Sequence, residues 1–179
     1  MKIQLIFFLK DLSRLLGKYR IRILHLWLSR VFWGILLYRF ERGLFLTIGN
    51  FYGYIRILFL PLLYPIQAYS NIEIHYRADI AGGVIILHPS VGVVISAYSK
   101  IGKNLTLTGG NVIGGKPGCK FGDIVLGNYV TLGANATIIG PVKLGDNINI
   151  GASACVVKDC LINNTTLVGV PASVSTKYS

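Results

Sequence analysis

The chain has 179 residues, of which 53% are hydrophobic and 14% charged, with a net charge of +11. A chain this apolar is not disordered, it is long enough for one or two domains with a sizeable core, and its three cysteines, an odd number, rule out a complete disulfide framework and favour the cytoplasm. The basic excess is uneven: residues 1–70 hold ten Lys or Arg against only Asp11 and Glu41, whereas residues 71–179 hold eight against five. No nucleic-acid recognition motif accompanies it, so the expected partner of this charge is an anionic membrane surface.

In chain order, residues 1–22 read as an amphipathic helix. Leu5, Phe8, Leu12, Leu15, Leu16 and Tyr19 recur at spacings of three and four, beside a basic ridge of Lys10, Arg14, Lys18 and Arg22. The pattern fits a helix in the lipid headgroup boundary or one packed on its own domain. It does not read as a signal peptide, because Lys10 and Asp11 follow the apolar run at once and no small-residue cleavage site appears. Residues 23–42 are apolar nearly all round, with Trp27, Phe32, Trp33 and Tyr38, and Gly43 is the expected stop. His25 in this region reads as a packed histidine.

A second apolar stretch, residues 43–72, is interrupted by Arg56, Pro61 and Pro65. No uncharged run reaches the ~20 residues that span a bilayer. Burying Arg30 or Arg56 mid-membrane would cost at least ~2.5 kcal/mol each. Helices in the interface, or a re-entrant hairpin, are therefore expected over a true span. The region 1–66 is read as helical and membrane-surface or interface-forming, with Pro65–Asn71 as linker.

From residue 71 the period changes to six. Ile74, Ile80 and Ile86, then Ile95, Ile101, Leu107 and Ile113, then Leu126, Leu132, Ile138, Leu144, Ile150, Val156, Ile162 and Val168 are all branched aliphatics. A second small or apolar position follows four residues after each late aliphatic: Val130, Ala136, Val142, Ile148, Ala154, Cys160 and Thr166. Six is neither the period of a strand nor that of a helix. It predicts short flat runs with one aliphatic inward, Gly or Asn at the corners, and like residues stacked about 4.8 Å apart in successive coils, which is a parallel β-helix over residues 71–172 with a tail at 173–179. The period breaks twice: three extra residues lie between Ile86 and Ile95, and one beyond two hexads lies between Ile113 and Leu126, where Gly114–Val125 reads as an ejected loop. Loops on rigid scaffolds are where sites are built.

These aliphatics, the run Gly151-Ala152-Ser153-Ala154-Cys155-Val156-Val157-Lys158-Asp159 and the ending Val168-Gly169-Val170-Pro171-Ala172 resemble the hexapeptide-repeat acyltransferases. Glu73-Ile74-His75, Gly82-Gly83-Val84 and His88 resemble the serine acetyltransferase-like branch, which includes acetyltransferases of bacterial exopolysaccharide clusters. The resemblance covers about residues 70–172. It implies a left-handed β-helix, a homotrimer and acetyl-CoA as co-substrate. It also implies His88 as the base that takes the acceptor proton, a task for which imidazole is suited at neutral pH. Glu73, fifteen residues earlier, falls where the family has an orienting carboxylate, usually Asp. His75, Asp79 and Asp123 rank second, as catalytic or acceptor-binding residues.

The resemblance places acetyl-CoA along Gly133-Ala134 and Gly151-Ala152-Ser153, with Lys158 near a phosphate and Gly114 and Gly115 offering N–H groups to the acyl oxygen. Cys119 is read as a bystander. A metal is not expected, because the coil region has only two histidines and no paired C-x-x-C spacing.

The chain departs from serine acetyltransferases where they carry an Arg-His pair for the substrate carboxylate: Gly122-Asp123 stands there, and Leu87 replaces the Asp before the catalytic His. A carboxylate without a guanidinium loses a strong charge-assisted bond. The expected acceptor is therefore a hydroxyl of a sugar in an exopolysaccharide, capsule or lipid-linked precursor, on the inner face of the membrane. Serine O-acetylation is the alternative and a non-catalytic membrane-bound scaffold a third reading.

Overall fold

The computed structural model describes residues 1–18 and 20–175, except for the side chains of Arg20 and Arg22. Tyr19 and the Arg22 side chain of the expected amphipathic helix, and residues 176–179 of the expected tail, lie outside the described residues.

The coil is a three-sided β-solenoid of parallel strands, the architecture of the left-handed parallel β-helix. Its first turn is β1 (Ile72–Ile74), β2 (Asp79–Ile80) and β3 (Ile85–Ile86); its second is β4 (Val93–Ile95), β5 (Ser99–Ile101) and β6 (Thr106–Leu107). Then come β7 (Asn111–Gly115), β8 (Ile124–Leu126) and β9 (Thr131–Leu132), and β10 (Thr137–Gly140), β11 (Val142–Leu144) and β12 (Asn149–Ile150). The last turn is β13 (Cys155–Val156), a bridge at Cys160 and β14 (Thr166–Val168). Face A is β1-β4-β7-β10-β13, face B β2-β5-β8-β11, and face C β3-β6-β9-β12-β14.

The hexad aliphatics stack in register along each face. Ile74, Ile95, Ile113, Ile138 and Val156 lie over one another on face A, and Ile80, Ile101, Leu126 and Leu144 on face B. All point inward and are buried, as are Val130, Ala136, Val142, Ile148 and Ala154 two residues ahead of the next hexad aliphatic. At the corner between faces B and C, Asn104, Tyr129, Asn147 and Asn164 stack with φ between 55° and 61°. Asn tolerates this left-handed conformation better than most residues, which explains its recurrence there.

Several expectations are corrected. In the final turn the inward positions are Cys160 and Leu167, not Ile162 and Val168. Cys160 bridges Leu144 and Leu167 pairs with Ile150, while Ile162 is 65% exposed. The repeat loses its period there because no further turn stacks on it. The ejected loop is shorter than Gly114–Val125: Gly114 and Gly115 end β7, Ile124 and Val125 begin β8, and Ile124 is fully buried. Ser173–Val174, expected in the tail, is a short antiparallel strand, β15, on β14 that covers the open end.

The helical region also differs. Helix α1 spans Lys2–Leu16 and ends at Gly17, with φ of 57°. A 3-10 segment, Arg20–Leu28, follows, and His25 is exposed within it rather than packed. Helix α2 (Arg30–Ile48) runs through Gly43, which lies beside Met1 and Gln4. Helix α3 (Tyr52–Ser70) runs through Pro61 and Pro65, so the helical region reaches residue 70 and Pro65–Asn71 is not a linker. Helices α2 and α3 form an antiparallel hairpin: Arg56 pairs with Glu41 near the turn, and Tyr69 donates to the Leu28 carbonyl at the far end. Val31, Ile35 and Tyr38 of α2 join the coil core, so α2 plugs the open first turn of the prism.

Polar residues tie this plug down. The Asp11 carboxylate accepts from Gly83 N (2.6 Å), Val84 N (2.7 Å) and Arg39 Nε (2.8 Å). Arg39 also donates to Gln4 and to the Ile80 and Ala81 carbonyls. Arg14, expected on an exposed basic ridge, turns inward to the Gly83 and Leu105 carbonyls. The Tyr38 hydroxyl donates to Ala78 O and accepts from Ile80 N, and burial pushes its pKa up to about 12.

Candidate functional site

The edge between faces C and A carries the candidate chemistry. His88 ends β3 at this edge, where Pro89–Val91 forms the extra residues as a 3-10 turn. Its N–H donates to Thr108 O (2.9 Å), which fixes the backbone, and its side chain is exposed and hydrogen-bonded to nothing among the described residues. In the next turns the same edge is formed by Gly109-Gly110, by Gly133-Ala134-Asn135 and by Gly151-Ala152-Ser153. They are linked by Asn135 N to Gly109 O (2.9 Å) and Ser153 N to Ala134 O (2.8 Å). His88 and the small-residue turns singled out in the sequence therefore share one edge of the prism. Ala152 and Ser153 are exposed and Gly133 and Ala134 half-buried, so an extended ligand can approach this backbone closely.

Two residues that support this edge escaped the sequence reading. Asn111 is fully buried at an inward position two residues before Ile113. Its side-chain oxygen accepts from Gly109 N and its amide donates to Gly133 O (2.7 Å) and Ala136 O (3.2 Å), which stitches two successive turns together. The signal was a polar residue at a position that the repeat reserves for an apolar one. Gly109, with φ of 138°, lies against His88: a side chain there would run into the His88 carbonyl and lie 3.2 Å from its Cβ.

Glu73 sits on the outer side of face A, in register with Val94 and Val112. It is exposed and unpaired among the described residues, and no hydrogen bond joins it to His88. A cavity of about 450 Å³ lies between face A and the end of α3, lined by Tyr64, Gln67, Asn71, Glu73, Val91 and Asn111 among others. It connects Glu73 with the turn that follows His88. A second cavity, about 320 Å³, lies deeper under the hairpin and is shared by Glu41, Arg56, Glu73 and His75.

His75 is half-buried at the opposite end of face A, and its Nδ1 accepts from Arg77 N (3.1 Å). Burial first, and then the Arg56 and Arg77 charges, lower its pKa from the usual 6.5 to about 4, so it is neutral at physiological pH. Asp79 is on face B and paired with Arg42 at 3.1 Å. Asp123 closes the Lys116–Asp123 loop by accepting from Lys120 N (2.7 Å). Gly114 and Gly115 pair with Ile139 and Gly140, so their backbone belongs to the face A ladder. Lys158 is exposed just after β13.

His75, Gly114, Gly115, Asp123 and Lys158 thus lie at or beside the A–B edge. One strand length, roughly 10–15 Å, separates them from the edge that carries His88. Among the described residues no cluster of His, Cys, Asp and Glu can hold a metal ion.

No family model matches the sequence, and no curated protein does. Solved structures do match. The serine acetyltransferase of Neisseria gonorrhoeae aligns over 98% of this chain and 68% of its own, with 25% identity and a TM-score of 0.77. The soybean serine acetyltransferase apoenzyme aligns over 98% of this chain and 70% of its own, with 28% identity and a TM-score of 0.77. In three dimensions this chain is similar to serine acetyltransferases. The soybean enzyme complexed with serine matches at 26% identity and a TM-score of 0.75. The similarity takes in the helical region as well as the coil, since 98% of the chain is covered.

Proposed function

We propose that this chain is an acetyl-CoA-dependent O-acetyltransferase with His88 as its general base. The observation that carries the reading is the alignment of the whole chain on serine acetyltransferases. The exposed imidazole of His88 beside the Gly-Ala turns supports it. In the reaction, His88 takes the proton of the acceptor hydroxyl as the oxygen bonds to the acyl carbon. The carbon–sulfur bond breaks, and His88 returns the proton to the leaving thiolate. Glu73, which makes no hydrogen bond to His88 in a single copy but lines the cavity beside the turn after it, is the carboxylate assigned to steady the imidazolium, and the Gly133-Ala134 and Gly151-Ala152-Ser153 turns receive the co-substrate.

The His88 edge and the loop edge are separate within one copy, and a homotrimer, the assembly that the resemblance implies, is what would bring them together. The loop edge of one copy then faces the His88 edge of the next, which brings Gly114, Gly115, Asp123 and Lys158 to the site.

Serine is the acceptor that the structural neighbours favour. A sugar hydroxyl of an exopolysaccharide or lipid-linked glycan is the second reading, favoured by the Lys116–Asp123 loop, which has no Arg-His pair to hold a carboxylate. The test is labelled acetyl transfer by the purified full chain to free serine and to glycan acceptors. His88→Ala is expected to lower turnover by about 10²–10⁴-fold. Wild-type turnover in that variant would remove His88 from the mechanism. Failure of the wild type to bind coenzyme A in calorimetry would replace the enzyme reading by a scaffold.

A further inference from the structure

The helical region buries several of its charged groups and leaves many apolar ones at the surface, although Val31, Ile35 and Tyr38 still pack into the coil core. In α1 the buried residues are Gln4 and Asp11, while Ile3, Leu5, Ile6 and Leu9 are each more than half exposed. In α2, Arg39, Glu41 and Arg42 are buried and Phe40 is 54% exposed. The outer arc of α3, from Tyr54 through Ile57, Leu58, Pro61, Leu62 and Pro65 to Tyr69, carries no charge, and Leu58 is 80% exposed. The 3-10 segment adds Ile21, Leu24 and Trp27, all at least 60% exposed. Exposed apolar side chains this numerous, on α1, the 3-10 segment and α3, mark an interaction site.

The charges decide what covers it. Asp11 and Glu41 are the only acidic residues in positions 1–70, and they are 1% and 3% exposed. Lys2, Lys10, Lys18 and Arg30 are exposed. The surface therefore combines apolar side chains with cations and carries no acidic side chain. A second copy would set cation against cation, whereas an anionic lipid surface is complementary to both components.

We infer that the helical cap docks on a bilayer containing anionic lipid, with α1, the 3-10 segment and the outer arc of α3 in the interface and the coil in water. Residues 30–70 are long and apolar enough by composition to cross a membrane. They do not cross here, because the buried charges of α2 hold the hairpin on the coil through Arg39 to Ile80 and Arg42 to Asp79. Aromatic Trp27, Tyr54, Tyr64 and Tyr69 suit the headgroup depth.

The experiment is flotation of the full chain with phosphatidylcholine vesicles with and without phosphatidylglycerol, at rising salt. Binding is expected to be strong only with phosphatidylglycerol and to weaken with salt. Lys2→Gln with Lys10→Gln is expected to lower the partition coefficient by about an order of magnitude or more, from ~1 kcal/mol for each cation near the surface. Leu58→Gln with Leu62→Gln, both at exposed positions, is expected to lower it by about 100-fold while circular dichroism and assembly mass stay unchanged. Absence of flotation with either vesicle would overturn the inference. So would a fall in assembly mass in the Leu58/Leu62 variant, which would make this face a contact between copies. Neither result depends on acetyl transfer.

Discussion

Asp11→Ala is the perturbation that most directly probes how the helical cap is fastened to the coil. The Asp11 side chain is completely buried, and it neutralises Arg39, which is 3% exposed, at 2.8 Å. Burial pushes the Asp11 carboxyl above the ordinary carboxylate range, against the pull of Arg39 and of the Val84 and Gly83 amides. Without the carboxylate, Arg39 keeps the Gln4 side chain, the Ile80 and Ala81 carbonyls and the faces of Phe7 and Tyr38, and its charge has no acidic partner. Breaking a buried pair from one side costs about 3–5 kcal/mol, and each orphaned amide about 1–3 kcal/mol. These costs share one carboxylate and do not add fully, so the expected loss is about 4 kcal/mol. At roughly 2–4 °C per kcal/mol for a chain of this size, Tm falls by about 10 °C. Urea unfolding followed by fluorescence reports on the cap, because both tryptophans, Trp27 and Trp33, lie in it. Asp11→Leu with Arg39→Met removes both charges and is expected to recover most of the loss. A loss below about 1 kcal/mol for Asp11→Ala would mean that the carboxylate is solvated and the plug rests on apolar packing alone.

Two further outcomes follow from the same contacts. Gly34→Ala places a methyl carbon 2.7 Å from Ile72 Cδ1 and 2.8 Å from its Cβ, where α2 crosses β1. The overpacking, about 1–3 kcal/mol, outweighs a helix-propensity gain of about 1 kcal/mol, so Tm is expected to fall and not rise. His75 titrates near 4 in the fold against an ordinary 6.5, because burial, Arg56 and Arg77 disfavour its cation. Between those values the unfolded chain binds a proton that the folded chain does not. Stability is therefore expected to be full above about 6.5 and to decline as pH falls toward about 4, by roughly 1–2 kcal/mol after allowance for solvent screening at this half-buried site. Tm measured against pH should flatten in that window in His75→Gln; an unchanged slope would assign the pH dependence to other groups.

The period of six on its own determined the coil. Stacking like residues buries the hexad aliphatics from Ile74 to Val156, and Ile74, Ile95, Ile113, Ile138 and Val156 occupy one column for that reason. The same pattern placed His88 at a break in the repeat, and breaks become corners. Tertiary structure alone decided the rotation of α1. Its spacing offered an apolar stripe to bury, yet the residues it buries fully are Gln4 and Asp11, because Arg39, 23 residues beyond the end of α1 at Leu16, requires a counter-ion where α2 plugs the prism. Periodicity ranks faces by hydrophobicity and carries no information about a charge on another helix. Nor did it show that His88 and the Gly-Ala turns share one edge while Gly114, Asp123 and Lys158 lie at or beside another. Which residues meet across turns depends on the number of residues in each coil, and the insertions at Pro89–Val91 and in the Lys116–Asp123 loop change that number locally.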